Sequence, residues 1–140
     1  MYKQDLRDFI NLVGKLDKYR IVEGADWNLE IGRITELGVS VPDGPMLLFD
    51  KIKGYTAGYR ILTNFLTTTN RVALALGLPA KARGLELVKA WMEKANNENK
   101  TIPPIKVSTG SVKENIHVGS DIDLFEFPVP KWHSEDGGRY

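Results

Sequence analysis

Two consecutive prolines, Pro103 and Pro104, constrain this chain more than any other feature of its sequence. Proline fixes φ, removes a backbone donor and pushes the preceding residue out of the α region, so no helix runs through such a pair. The texture differs on the two sides. Before the pair, apolar residues recur at helical spacing or in short continuous runs. After it, turn formers and acidic residues dominate and no helical period appears. The expectation is an α/β unit over residues 1–104 and an extended arm over residues 105–140.

Within the first unit, Asp5 is a capping residue ahead of Leu6, Phe9, Ile10, Val13 and Leu16, which share one helical face. Tyr19 to Val22 reads as a short strand. A second helix is predicted from Asp26, with Leu29, Ile34 and Leu37 as its inner stripe. It ends near Gly38, ahead of the turn Pro42-Asp43-Gly44-Pro45. Met46-Leu47-Leu48-Phe49 has the pattern of a buried strand, and Tyr59 to Thr63 reads as the next one. Thr67-Thr68-Thr69-Asn70 supplies capping oxygens for a short helix through Leu76. A longer helix over about Gly84 to Ala95 carries Leu85, Val88 and Met92 on one face, with Trp91 and Ala95 flanking it. Asn96-Asn97-Glu98-Asn99-Lys100 and the prolines stop that helix. Past them, Ile105 to Thr109 is a candidate strand, and Asp121 to Phe125 a single turn. The fold class is therefore mixed α+β, a small sheet with flanking helices and a carboxy-terminal arm.

Composition excludes several functions. The 140 residues contain no cysteine, which rules out disulfide scaffolds, thiolate nucleophiles and thiolate metal sites. Lys plus Arg number 19 against 18 Asp plus Glu, so there is no electrostatic footprint for nucleic acid or an anionic membrane. At 42% hydrophobic residues the chain has the content of one folded domain rather than of a disordered segment. No apolar run approaches the roughly 18–20 residues of a membrane span. Met1-Tyr2-Lys3-Gln4-Asp5 lacks the basic-then-apolar order of a secretory signal, so a cytoplasmic protein is expected.

Residues able to carry chemistry are few. His117 and His133 stand sixteen positions apart in expected loops. His133 and Asp136 have a spacing that suits a shared cation, but one pair is too few ligands for a transition-metal site. Gly137-Gly138 before Arg139 would let backbone amides approach a phosphate beside a guanidinium, with a tight turn as the alternative. Thr109-Gly110-Ser111 and Lys113-Glu114-Asn115 have the composition of turn and solvated loop. Trp91 lies beside a helical stripe and is expected to pack there, whereas Trp132 lies in the non-periodic arm. No Walker loop and no dinucleotide fingerprint is present.

The densest polar cluster closes the chain. Phe127-Pro128-Val129-Pro130 running into His133-Ser134-Glu135-Asp136-Gly137-Gly138-Arg139-Tyr140 resembles the entry to the central domain of UbiD-like decarboxylases. Asp5 to Phe9 and Asn28 to Ile31 resemble that family's first two helices. Gly44 to Phe49 with Ile52 to Tyr55 resembles its first sheet strand and loop. Pro103-Pro104-Ile105, Thr109-Gly110 and Lys113-Glu114-Asn115 resemble its link to the central domain. Asn64 to Thr68 and Arg71 to Leu76 are similar to the bacterial aromatic-acid branch. The resemblance spans the chain.

The resemblance implies reversible non-oxidative decarboxylation of an aromatic or α,β-unsaturated carboxylic acid. Loss of carbon dioxide from an sp² carbon needs an electron sink, which in this family is prenylated FMN, held with manganese (Mn2+) and potassium (K+). It also implies a following split-barrel flavin domain and a homo-oligomeric parent enzyme. The family's catalytic carboxylates, arginine and metal ligands have no counterpart in these residues, so no catalytic or metal residue is assigned and the chain alone is expected to be inactive. His133, Asp136, Gly137, Gly138 and Arg139 are the candidates for supporting the entry to the flavin domain, against a structural strand-entry turn. Two other classes stay open: a non-catalytic accessory or assembly subunit whose partner subunit carries the flavin site, and a small-ligand-binding domain.

Overall fold

The computed structural model describes residues 5–97 and 103–139. The expected polar stop at 98–100 and Tyr140 lie outside them. Helix α1 (Leu6–Leu16) starts at a reciprocal cap. The Asp5 carboxylate accepts the N–H groups of Arg7 and Asp8 at 2.8 and 3.0 Å, and the Asp8 carboxylate accepts the N–H of Asp5. The chain then forms β1 (Tyr19–Glu23), helix α2 (Glu30–Ser40), β2 (Met46–Asp50) and β3 (Ile61–Thr63). β1 and β2 are parallel, as a crossover through α2 requires, and β3 returns antiparallel to β2. The sheet order is β1-β2-β3.

Alternation along the central strand divides the core in two. Leu47 and Phe49 face α2 and pack with Ala25, Ile31 and Ile52. Met46 faces the other side and packs with Val13 of α1 and Leu74 of helix α3 (Thr69–Ala75). Strand β2 is thus covered on both faces, which is why it reads as a continuous apolar run. α3 starts where the Thr68 hydroxyl accepts the N–H of Arg71.

Arg71 is fully buried. Its guanidinium donates to the Gly44 carbonyl at 2.8 Å and the Thr67 hydroxyl at 2.7 Å, and lies 3.5 Å from the Asp17 carboxylate. Burial lowers its pKa, and Asp17 and Asp43 oppose that shift. Through this one side chain α3 is tied to the turn before β2 and to the end of α1.

Four expectations need correction. α2 begins at Glu30, not Asp26. The Asp26 carboxylate accepts the N–H of Asn28 at 2.9 Å, its own N–H donates to Glu30 at 2.8 Å, and Leu29 stands at φ +71°, so these residues form a turn ahead of the helix. With that start, Ile31 and Gly32 point inward and Leu37 is 68% exposed. β3 is two residues shorter than expected, because Tyr59 leaves the sheet to meet the arm. Helix α4 (Gly84–Asn97) forms as expected, but its Leu85, Val88, Met92 and Trp91 are exposed. It is held instead by half-buried Leu87 and Ala90, and by the Lys94 ammonium, which donates to the Leu76 carbonyl.

The fourth correction concerns Ile105 to Thr109, which form no strand: among the described residues they pair with neither edge of the sheet, and an unpaired segment does not hold strand geometry in water. The arm continues through three single 3-10 turns, Ser111–Lys113, Gly119–Asp121 and Leu124–Glu126. No helix among the described residues is long and apolar enough to cross a membrane.

Candidate functional site

The arm meets the folded unit at Phe125 to Phe127, through Tyr55 and Tyr59, and becomes buried against it from Pro128. Pro128 and Pro130 are buried, and Lys131 makes a one-residue parallel bridge with Asn28. The Lys131 N–H donates to the Trp27 carbonyl at 3.0 Å, and the Leu29 N–H donates to the Lys131 carbonyl at 2.9 Å. The turn that delays the start of α2 therefore presents the backbone groups on which the arm lands. One residue on, the Trp132 backbone lies against Gly32, where a Cβ would sit 2.4 Å from the Trp132 carbonyl oxygen. Only glycine permits that approach.

One helical turn beyond Gly32, Glu36 receives His133, whose Nε2 lies 2.5 Å from the carboxylate. The other ring nitrogen, Nδ1, is 3.6 Å from Asp136. The hydrogen bond to Glu36 is the main reason the imidazole pKa is raised; desolvation opposes it, and the charges of Glu36 and Asp136 add to the rise. Asp136 closes its own turn by accepting the N–H groups of His133 at 2.9 Å and Trp132 at 3.2 Å. The first of these bonds is the leading cause of its lowered pKa.

Arg139 ends the described arm inside a cage of rings. Its guanidinium carbon lies 4.0 Å over the Trp27 ring, 5.1 Å from the centre of the Phe125 ring and 5.7 Å from that of Tyr55. Nε donates to the Val129 carbonyl at 2.6 Å, and Nη2 donates to the Phe127 carbonyl and the Tyr55 hydroxyl. The Tyr55 hydroxyl donates in turn to the Phe125 carbonyl at 3.0 Å. A guanidinium with these partners holds its own chain in place.

The structure thus brings His133, Asp136 and Arg139 to one junction, in separate roles. Gly138 lies in the same turn, with nothing within 4 Å of the position a Cβ would take, so no close approach within this chain demands glycine there. Gly137 is exposed beside it. His117 is remote in role: its Nδ1 lies 3.1 Å from the Asp121 carbonyl oxygen. No group of three or more His, Asp or Glu among the described residues is placed to hold a metal ion. Sequence reasoning missed Trp27, Gly32, Glu36 and Tyr55. Gly32 carried a signal, since a glycine inside a helix costs about 1 kcal/mol relative to alanine and invites a packing explanation.

Comparison with known proteins bears on what this junction belongs to. Residues 11–91 match the 3-octaprenyl-4-hydroxybenzoate carboxy-lyase N-terminal domain, and residues 104–140 match the Rift-related domain of the same enzymes. The chain is 33% identical over 144 residues to pyrrole-2-carboxylic acid decarboxylase of Pseudomonas aeruginosa, covering 97% of this chain and 28% of that one. It is 31% identical over 149 residues to ferulic acid decarboxylase 1 of Saccharomyces cerevisiae, covering 97% of this chain and 29% of that enzyme. Among solved structures it resembles vanillic acid decarboxylase of Sedimentibacter hydroxybenzoicus. The open form with truncated ShVdcD matches with a TM-score of 0.74 at 27% identity and the closed form with 0.72 at 26%; both cover 99% of this chain and 30% and 29% of theirs. The chain therefore spans less than a third of the length of the relatives it matches, and it belongs to the UbiD family of 3-octaprenyl-4-hydroxybenzoate carboxy-lyases.

Proposed function

We propose that these residues are the amino-terminal part of a carboxy-lyase that reversibly and non-oxidatively decarboxylates an aromatic or α,β-unsaturated carboxylic acid, and that they serve as framework rather than as catalyst. The observation that carries this reading is the arm. Every residue from 103 to 127 is exposed, including Ile105 at 86%, Val112 at 89% and Leu124 at 72%. Exposed apolar side chains with no core of their own gain stability only when another surface covers them. The match of residues 104–140 to the Rift-related domain supports a reading in which the remainder of the parent protein covers this segment.

On this reading prenylated FMN serves the parent as the electron sink, with Mn2+ and K+. The residues of this chain do not fit as its ligands. The Arg139 guanidinium is engaged by carbonyls, a hydroxyl and rings, and the Asp136 carboxylate by backbone N–H groups. Their work is to fix where the second domain begins, by clamping residues 128–139 onto α2 and the turn before it. The parent is proposed to be a cytoplasmic oligomer acting on a small acid. Its solved neighbours are multi-chain decarboxylases, which favours a second reading, a non-catalytic subunit of a split enzyme.

The test is carbon dioxide release from a panel of aromatic acids, with prenylated FMN supplied, by the complete parent and by the 140-residue chain alone. Turnover by the parent and none by the chain is expected. Turnover by the chain alone would overturn the assignment of its role.

A further inference from the structure

A cleft of about 510 Å³ lies between the first turn of α1 and the face of β2 and β3. Its floor is apolar, with Leu48, Leu62 and Ile10, and its rim carries Arg7 and Arg60. The placement follows from the elements. Leu48 and Leu62 are register partners across β2 and β3, so both side chains stand on one face of the sheet. Arg60 precedes Leu62 by two residues along an extended chain, and Arg7 precedes Ile10 by three along a helix, which sets each arginine beside a floor residue. Among the described residues neither guanidinium has a carboxylate within 4.0 Å. Asp5, the one acid in the lining, already accepts two backbone N–H groups.

We propose that this cleft binds a small monocarboxylic acid with an apolar body, its carboxylate between Arg7 and Arg60 and its body on Leu48, Leu62 and Ile10. The volume lies within the range of small-molecule sites, and two planar donors above an apolar floor select an anion that also has hydrocarbon to bury. A free phosphate would leave the floor wet, and a neutral arene would leave both arginines without a partner. The inference stands independently of the parent's activity.

Titration of the 140-residue chain with benzoate, followed by amide and methyl chemical shifts, tests it. Saturable shifts at Leu48 and Leu62, with a Kd on the order of 1 mM, are expected. Arg7→Gln and Arg60→Gln should each weaken binding about tenfold, the loss of one charged hydrogen-bond partner. Benzamide, with the same ring and no charge, should not saturate. Equal binding of benzamide, absence of saturation by benzoate, or retained affinity in the double variant would each overturn the proposal. The benzamide comparison uses the unaltered chain and so does not depend on the variants folding.

Discussion

Two arginines in this chain lose solvent and are stabilised differently. Arg71 is enclosed in the core, where a carbonyl, a hydroxyl and Asp17 answer its charge. Arg139 lies at the arm's end, where rings and carbonyls answer it. Gly32 shows the same principle for volume: a site is read from what its neighbours leave room for. Gly32→Ala gains about 1 kcal/mol of helix propensity but places a methyl 2.4 Å from the Trp132 carbonyl oxygen. Overpacking of this kind costs about 1–3 kcal/mol, so a net lower urea midpoint is expected, together with a shifted Trp132 emission. Gly138→Ala should leave both unchanged.

His133 gives the junction a pH dependence. Its folded-state pKa is raised above the ordinary 6.5. Its contribution is therefore fully present below about 6.5 and is lost as pH rises through the raised folded value. Asp136 acts with the opposite sign: its pKa is lowered from 3.8, so its contribution is present above 3.8 and lost as pH falls through the lowered value. Histidine ring shifts followed by NMR should show a His133 midpoint above the ordinary value, returning toward it in Glu36→Gln.

At the scale of elements, helical and strand periods were largely legible. α1, α3 and β2 fall where spacing and caps predict, because each is defined by its own sequence and by a core on one or both faces. α2 was displaced by four residues, since Asp26 is as good a turn former as a cap and its partners, Lys53 and Asn28, decide between the two. α4 shows what periodicity cannot tell: an apolar stripe identifies a helix but not what covers it. Leu85→Gln with Met92→Gln should change the stability of this chain by no more than about 0.5 kcal/mol, as for other exposed sites. Phe49→Ala, which empties the centre of the α2 face, should cost about 3–5 kcal/mol. Urea denaturation of the three proteins distinguishes them.

For the whole molecule, the boundary at Pro103-Pro104 separates a unit with two buried clusters from a segment with none until Pro128. The junction residues His133, Asp136 and Arg139 were visible in sequence as a dense polar cluster. Their partners were not, because Trp27, Glu36 and Tyr55 lie some 84 to 112 positions away and only the fold brings them close. On the proposed reading, the arm begins a domain which the rest of the parent completes. Hydrogen exchange across residues 105–127 tests it most directly, measured in the 140-residue chain and in the complete parent. Rapid exchange in the chain and strong protection in the parent is the predicted result. Equally rapid exchange in both would contradict it.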